Sequence, residues 1–236
     1  IAQAAENKFF GKPCGLLDQM TSSVGSFVEI DFADPANPVI EKLDFDFASC
    51  GYALCIVDTG GIHSDLTDEY AAVRKEMESV AEYLGKSVLR EVDEDEFMKN
   101  IADIRSSCGD RAVLRAMHFY GDNARVEKQA AALKAGDFET FKKYIIESGR
   151  SSYMYNQNVY SCKKASEQPV SLALSLSEKL LDGCGAWRVH GGGFAGTIQA
   201  FVPLNKLDGY KDLMEKVFGS GSCYILSVRP VGGVEL

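Results

Sequence analysis

The stretch from residue 186 to 229 limits the fold more than any other part of the chain. Residues 186–190 read as a strand, 191–196 as a glycine-rich turn, 197–202 as a strand, 207–218 as a helix and 223–229 as a third strand. That order in so short a span makes a small antiparallel sheet with a helix packed on it. The chain before it is helical. Leu66, Tyr70, Val73, Met77, Val80 and Leu84 recur every three or four residues, which puts them on one helix face, and Gly85 stops the helix. Ser64 or Asp65 is placed to cap its start. Further helices are expected over 93–101, 110–135, 138–148 behind the cap Asp137, and 169–181 with Gly183 as the stop. Residues 2–9 read as a helix end closed by Gly11 and Pro13, and 18–24 as a short helix. Residues 27–32 and 39–43 read as strands around a Pro-Asn turn, and 52–57 as a buried strand running into Asp58-Thr59-Gly60-Gly61. The fold class is α+β, with no internal repeat and no low-complexity segment.

Charge and cysteine usage exclude several functions. The net charge is -9 and no basic cluster stands out, so nucleic acid and anionic membrane surfaces are poor partners. No apolar run approaches the roughly 20 residues that span a bilayer. The seven cysteines are odd in number and none forms a C-x-x-C pair, which argues against a disulfide framework and a structural zinc site. Reduced thiols in a cytoplasmic protein are the simplest reading. The three histidines are far apart and in no metal-binding spacing, so no metal ligand is assigned. The chain starts at Ile1 on what reads as a helix tail, so it is expected to be a fragment; a processed N-terminus is the alternative.

Three motifs have chemistry in them. In Gly11-Lys12-Pro13-Cys14-Gly15-Leu16-Leu17-Asp18-Gln19, Pro13 and Gly15 force a turn and Asp18 falls near a helix start. Free backbone N–H groups and the positive dipole end keep a carboxylate ionised there, ready to accept a proton from a hydroxyl. A helix-capping Asp is the alternative. In Gly191-Gly192-Gly193-Phe194-Ala195-Gly196, the glycines allow close backbone approach and let successive N–H groups point at one anion. A tight structural hairpin is the alternative. Asp58-Thr59-Gly60-Gly61-Ile62-His63-Ser64 leads into the helix carrying Tyr70 and Arg74. Tyr70 sits on the apolar stripe, so a core tyrosine is the competing reading. Residues 151–158, with Tyr153, Met154, Tyr155 and two asparagines, reach a ligand or cover the helices, and covering is the expected role.

Taken together and in this order, the motifs resemble those of the galactokinases, in the GHMP family of small-molecule kinases. Those proteins typically read C-G-x-M-D-Q, where this chain has Leu17 for Met; they carry D-T-x-x-x-H-S with a later Tyr and Arg; and they read G-G-G-F-G-G, where this chain has Ala195. If position 195 needs a positive φ, Ala costs about 1 kcal/mol relative to Gly. The resemblance covers nearly the whole chain. It implies a GHMP-kinase-like fold, with residues 1–62 as the remainder of an N-terminal domain and 63–236 as the C-terminal domain. It implies transfer of the ATP γ-phosphate to the C1 hydroxyl of galactose, with Mg²⁺. Asp18 would be the catalytic carboxylate, Gly15 and Tyr70 would bind the sugar, and Gly191, Gly192, Gly193 and Gly196 would lie near the phosphates. Two further signatures of the resemblance, P-G-R-x-x-E-x-H-x-D-Y and P-x-G-x-G-L-S-S-S, are not found. ATP and Mg²⁺ would then be held mainly by a missing N-terminal half, and the chain alone would be inactive. A kinase for a related sugar such as N-acetylgalactosamine, a non-catalytic sugar sensor, and a split gene whose front half is a separate chain stay open as alternatives.

Overall fold

The computed structural model describes residues 1–10, 15–61, 66–194 and 196–233. Helix α1 (Ala2–Ala4) runs into a π-helical turn, Ala5–Phe10. Helix α2 (Leu17–Val24) leads to the hairpin of β1 (Phe27–Asp31) and β2 (Val39–Leu43), paired antiparallel with Phe27 opposite Leu43. Strand β3 (Tyr52–Asp58) is an inner strand of a second sheet, ordered β4-β5-β3-β6, where β4 is Ala186–Val189, β5 Thr197–Pro203 and β6 Cys223–Leu226. All its pairings are antiparallel. The expected division at residue 62 therefore falls on the far side of β3 from its partner strands.

Burial along β3 alternates, as the period of a strand demands. Ala53, Cys55 and Val57 turn to one face and pack with α8 (Pro169–Leu181) and α9 (Leu207–Phe218) through Val170, Ala173, Leu181, Tyr210 and Met214. Tyr52 and Leu54 turn to the other face, toward α6 (Asp110–Lys134) and α7 (Phe138–Ser151). There Phe27, Phe45, Phe47, Phe138, Phe141 and Phe201 form a cluster with ring centroids 5.4 to 6.3 Å apart. Edge-to-face and offset contacts at these spacings are the favoured aromatic geometry. They fasten the β1–β2 hairpin to the second sheet. Helices α3 (Thr67–Tyr83), α4 (Glu94–Lys99), α5 (Ile101–Cys108) and α6 close a third apolar cluster around Val80, Phe97, Ile104 and Ala116.

Local caps act as the sequence requires. The Asp137 carboxylate accepts from Thr140 N at 3.0 Å, and Asp93 accepts from Asp95 N and Glu96 N. Helix α7 runs three residues beyond its expected end at 148, then passes into a π-helical turn, Ser152–Asn156. Helix α5 was not anticipated. The Ser64/Asp65 cap lies outside the described residues. The chain after β6 returns to α2, where Ser26 N donates to Arg229 O at 2.7 Å and Gly233 N donates to Ser23 O at 3.2 Å.

Candidate active site

The glycine turn is gripped from three sides. Strand β3 ends beside it, and Thr59 donates to Gly196 O twice, from its amide at 2.8 Å and its hydroxyl at 2.6 Å. Helix α3 brings the Tyr70 hydroxyl to Gly193 O at 2.9 Å and lays the Tyr70 ring across Gly192, where a Cβ would come within 2.7 Å of Cε1. Burial raises the Tyr70 phenol pKa, so it stays a hydrogen-bond donor at neutral pH. On the third side, Asn158 O accepts from Phe194 N at 2.5 Å, and Asn158 Nδ2 donates to Gly192 O at 3.2 Å. The Phe194 N–H therefore points into the protein, and the turn does not present an unbroken run of amides to an anion. At the base of the hairpin, His190 N donates to Thr197 O at 3.0 Å.

Phe194 meets the Tyr70 ring edge-on, with centroids 5.4 Å apart. Each ring lines a cavity. One, of about 600 Å³, lies against Phe194, residues 59–61, Leu66, Lys163 and Lys164. The other, of about 380 Å³ and mainly apolar, lies against Tyr70, Val73, Met77 and Phe119.

Asp18 approaches the turn from the other arm of the chain. It lies in the first turn of α2, where the helix dipole favours a negative charge. Its side chain is exposed, and among the described residues it enters no ion pair. Its charge reaches His190, the residue that precedes Gly191. Burial and the Arg188 guanidinium push the His190 pKa down, and the Asp18 carboxylate pulls it back up. Gly15 stands one turn ahead of Asp18, with open space where a Cβ would be.

Comparison with known proteins follows this geometry. Galactokinase of Homo sapiens is 30% identical over 236 residues, which is all of this chain and 57% of its own length. That of Thermotoga neapolitana is 31% identical over 217 residues, 92% of this chain and 56% of its own. The chain is similar to the galactokinases along nearly all of its length. It spans about half the length of the curated galactokinases it matches, 51% for that of Actinobacillus pleuropneumoniae serotype 5b. No family model matches. The crystal structure of Lactococcus lactis galactokinase complexed with galactose superimposes with a TM-score of 0.72 at 21% identity, covering 99% of this chain and 59% of that one. Mevalonate kinase of L. major in complex with R-mevalonate gives 0.57 at 13% identity, over 98% of this chain and 57% of that one. The fold is thus the α+β fold of the GHMP kinases.

Of the galactokinase motif residues, the structure brings Asp18, Tyr70, Gly191, Gly192, Gly193 and Gly196 to one region. Gly11, Cys14, His63 and Ala195 lie outside the described residues. Sequence reasoning missed what supports the turn. Residues 151–158 were expected to cover helices, and Met154 does stand exposed. Asn158, however, reaches the turn, and the Asn156 carbonyl accepts from Arg115 Nε at 3.0 Å. Arg115 is fully buried and paired with Glu76 at 2.9 Å. Two asparagines amid tyrosines were the available signal; nothing in the spacing said which way they face.

Proposed function

We propose that the full-length protein transfers the γ-phosphoryl group of ATP to the C1 hydroxyl of galactose. The observation that supports this most is the exposed Asp18 side chain in the first turn of α2, within electrostatic reach of His190, the residue before the glycine turn, in a chain similar to galactokinases. The C1 oxygen bonds to the γ-phosphorus, the bond to the β–γ bridging oxygen breaks, and ADP leaves. Asp18 takes up the hydroxyl proton or orients that hydroxyl, because a loose transition state needs little early deprotonation. Gly15 would let the sugar approach the backbone. Tyr70 would meet the sugar through its ring and oxygen, its proton being engaged by Gly193. Gly191, Gly192, Gly193 and Gly196 would flank the phosphates by shape.

Mg²⁺ is expected with ATP. The described residues contain no group of three or more His, Cys, Asp or Glu side chains able to hold a metal ion. The ion would be held by ATP and by residues outside these. The two-domain division, residues 1–62 and 63–236, belongs to the same proposal. A cytoplasmic location suits the substrate pair, and no helix among the described residues is long and apolar enough to cross a membrane.

A coupled assay for ADP release decides the matter. With galactose, the full-length protein is expected to turn over and Asp18→Asn to lose about 10³-fold in kcat. Residues 1–236 alone are expected to show no turnover. Asp18→Asn activity within about threefold of the parent would remove Asp18 from the reaction.

A further inference from the structure

We infer that Asn158 is the positioning residue of the glycine turn, holding Gly192, Gly193 and Phe194 in the one shape that presents Tyr70 to the sugar. The inference rests on the sugar-kinase reading and extends it to a residue whose segment had no assigned role.

The chain takes unusual steps to bring Asn158 to this place. After α7 it passes through the π-helical turn and then through Gln157, whose φ is 53°. A left-handed φ in a residue with a Cβ is uncommon and persists only where the surroundings hold it. Phe194, directly across the contact, also has a positive φ, 58°. The two strained residues flank one pair of hydrogen bonds, Phe194 N to Asn158 O at 2.5 Å and Asn158 Nδ2 to Gly192 O at 3.2 Å. The second fixes the side-chain orientation, since only the amide nitrogen can donate to a carbonyl.

Packing points the same way. A Cβ on Gly193 would stand 1.8 Å from the Asn158 main-chain oxygen and 2.9 Å from its Nδ2, so the backbone and side chain of Asn158 together leave room only for glycine. Asn158 is 5% exposed, and among the described residues its Oδ1 has no hydrogen-bond partner. Burying a polar atom unpaired costs stability, so simple packing would be better served by an apolar side chain. The segment is also braced from behind, by Arg115 on the Asn156 carbonyl at 3.0 Å and by the Ser161 hydroxyl on Glu69 at 2.7 Å. The consequence passes through the turn. With the Gly192–Phe194 backbone fixed on one side by Asn158, the Gly193 carbonyl faces the Tyr70 hydroxyl on the other. Asn158 acts on the sugar only through these residues and does not touch Asp18.

Two variants of the full-length protein test this. Asn158→Ala removes the side chain, and Asn158→Asp keeps its shape but loses the N–H donor. Hydrogen exchange is expected to show the Phe194 amide exchanging about tenfold faster in both, with amides of α8 and β3 unchanged. The KM for galactose is expected to rise about tenfold. If Asn158→Ala does not fold, the isosteric Asn158→Asp carries the test. Unchanged exchange at Phe194, or exchange raised equally throughout, would overturn the positioning role, as would an unchanged KM for galactose. If the parent protein binds no galactose, the sugar-kinase reading fails by itself, and the exchange data still decide whether Asn158 holds the turn.

Discussion

The glycine turn and the Asp18 arm lie within electrostatic reach of each other, and the chain holds them by different means. The turn is gripped by side chains and backbone from three distant segments, at Thr59, Tyr70 and Asn158. The arm is a two-turn helix whose far end is clasped mainly by backbone, with the Ser26 hydroxyl on Leu43 O at 3.3 Å beside it. Gly25 and Gly232 come so close that a Cβ on Gly232 would stand 1.9 Å from Ser23 O. In the proposed function the Asp18 carboxylate meets a substrate and has to stay open; its helix is fastened at the end away from it. The turn carries no charge of its own, so its contribution is shape, and shape requires many contacts.

The contrast can be broken at either side. Gly193→Ala forces a Cβ against the Asn158 carbonyl at a φ of 82° and is expected to cost the most stability, about 3 kcal/mol, read by urea unfolding. Gly232→Ala is expected to cost about 2 kcal/mol, and limited proteolysis should find the tail after β6 cut first. If the tail stays protected, the clasp on α2 is not what holds it. Tyr70→Phe removes one hydrogen bond from the turn and leaves the ring, an effect of about 1 kcal/mol in the same unfolding measurement.

The smallest change sharpens the comparison most. Asp18→Asn is expected to alter unfolding by no more than about 0.5 kcal/mol, because the side chain is exposed and in no ion pair among the described residues. Its signature is on His190. The Asp18 charge favours the protonated imidazole, so its removal should lower the His190 pKa further below 6.5 in an NMR titration. The folded variant would then bind fewer protons than the unfolded chain over a wider window, and its stability would fall more steeply as pH drops below about 6.5. A His190 midpoint that does not move would separate the arm from the turn.

Elements with strong local punctuation were legible in the sequence. Helix α8 begins on Pro169 and α9 runs Leu207–Phe218, both as expected, because a proline start, a glycine stop and an apolar stripe are all local signals. Helix α5 was missed because Asn100, its first flanking residue, also ends α4, leaving no gap between the two. The interior place of β3 was not legible either. Its alternation said that one face is buried, but a strand's own residues do not name its neighbours. The site divides in the same way. Asp18, Tyr70 and the glycines stand out through the resemblance to the galactokinases, since spacing alone leaves a capping Asp, a core Tyr and a structural hairpin as alternatives. Thr59 stands out only as part of its motif, without its partner Gly196, and Asn158 and Arg115 do not stand out at all, because their importance comes from atoms far along the chain.

The sequence by itself determined the α+β class, most of the helices and the glycine turn, since each depends on residues within a few positions of one another. Only the tertiary structure decided that β3 sits inside the second sheet, that the tail after β6 clasps α2, and that Asn158 grips the turn. Those are contacts between segments tens of residues apart, and they are chosen by which buried faces and hydrogen-bonding groups fit together once the chain is compact.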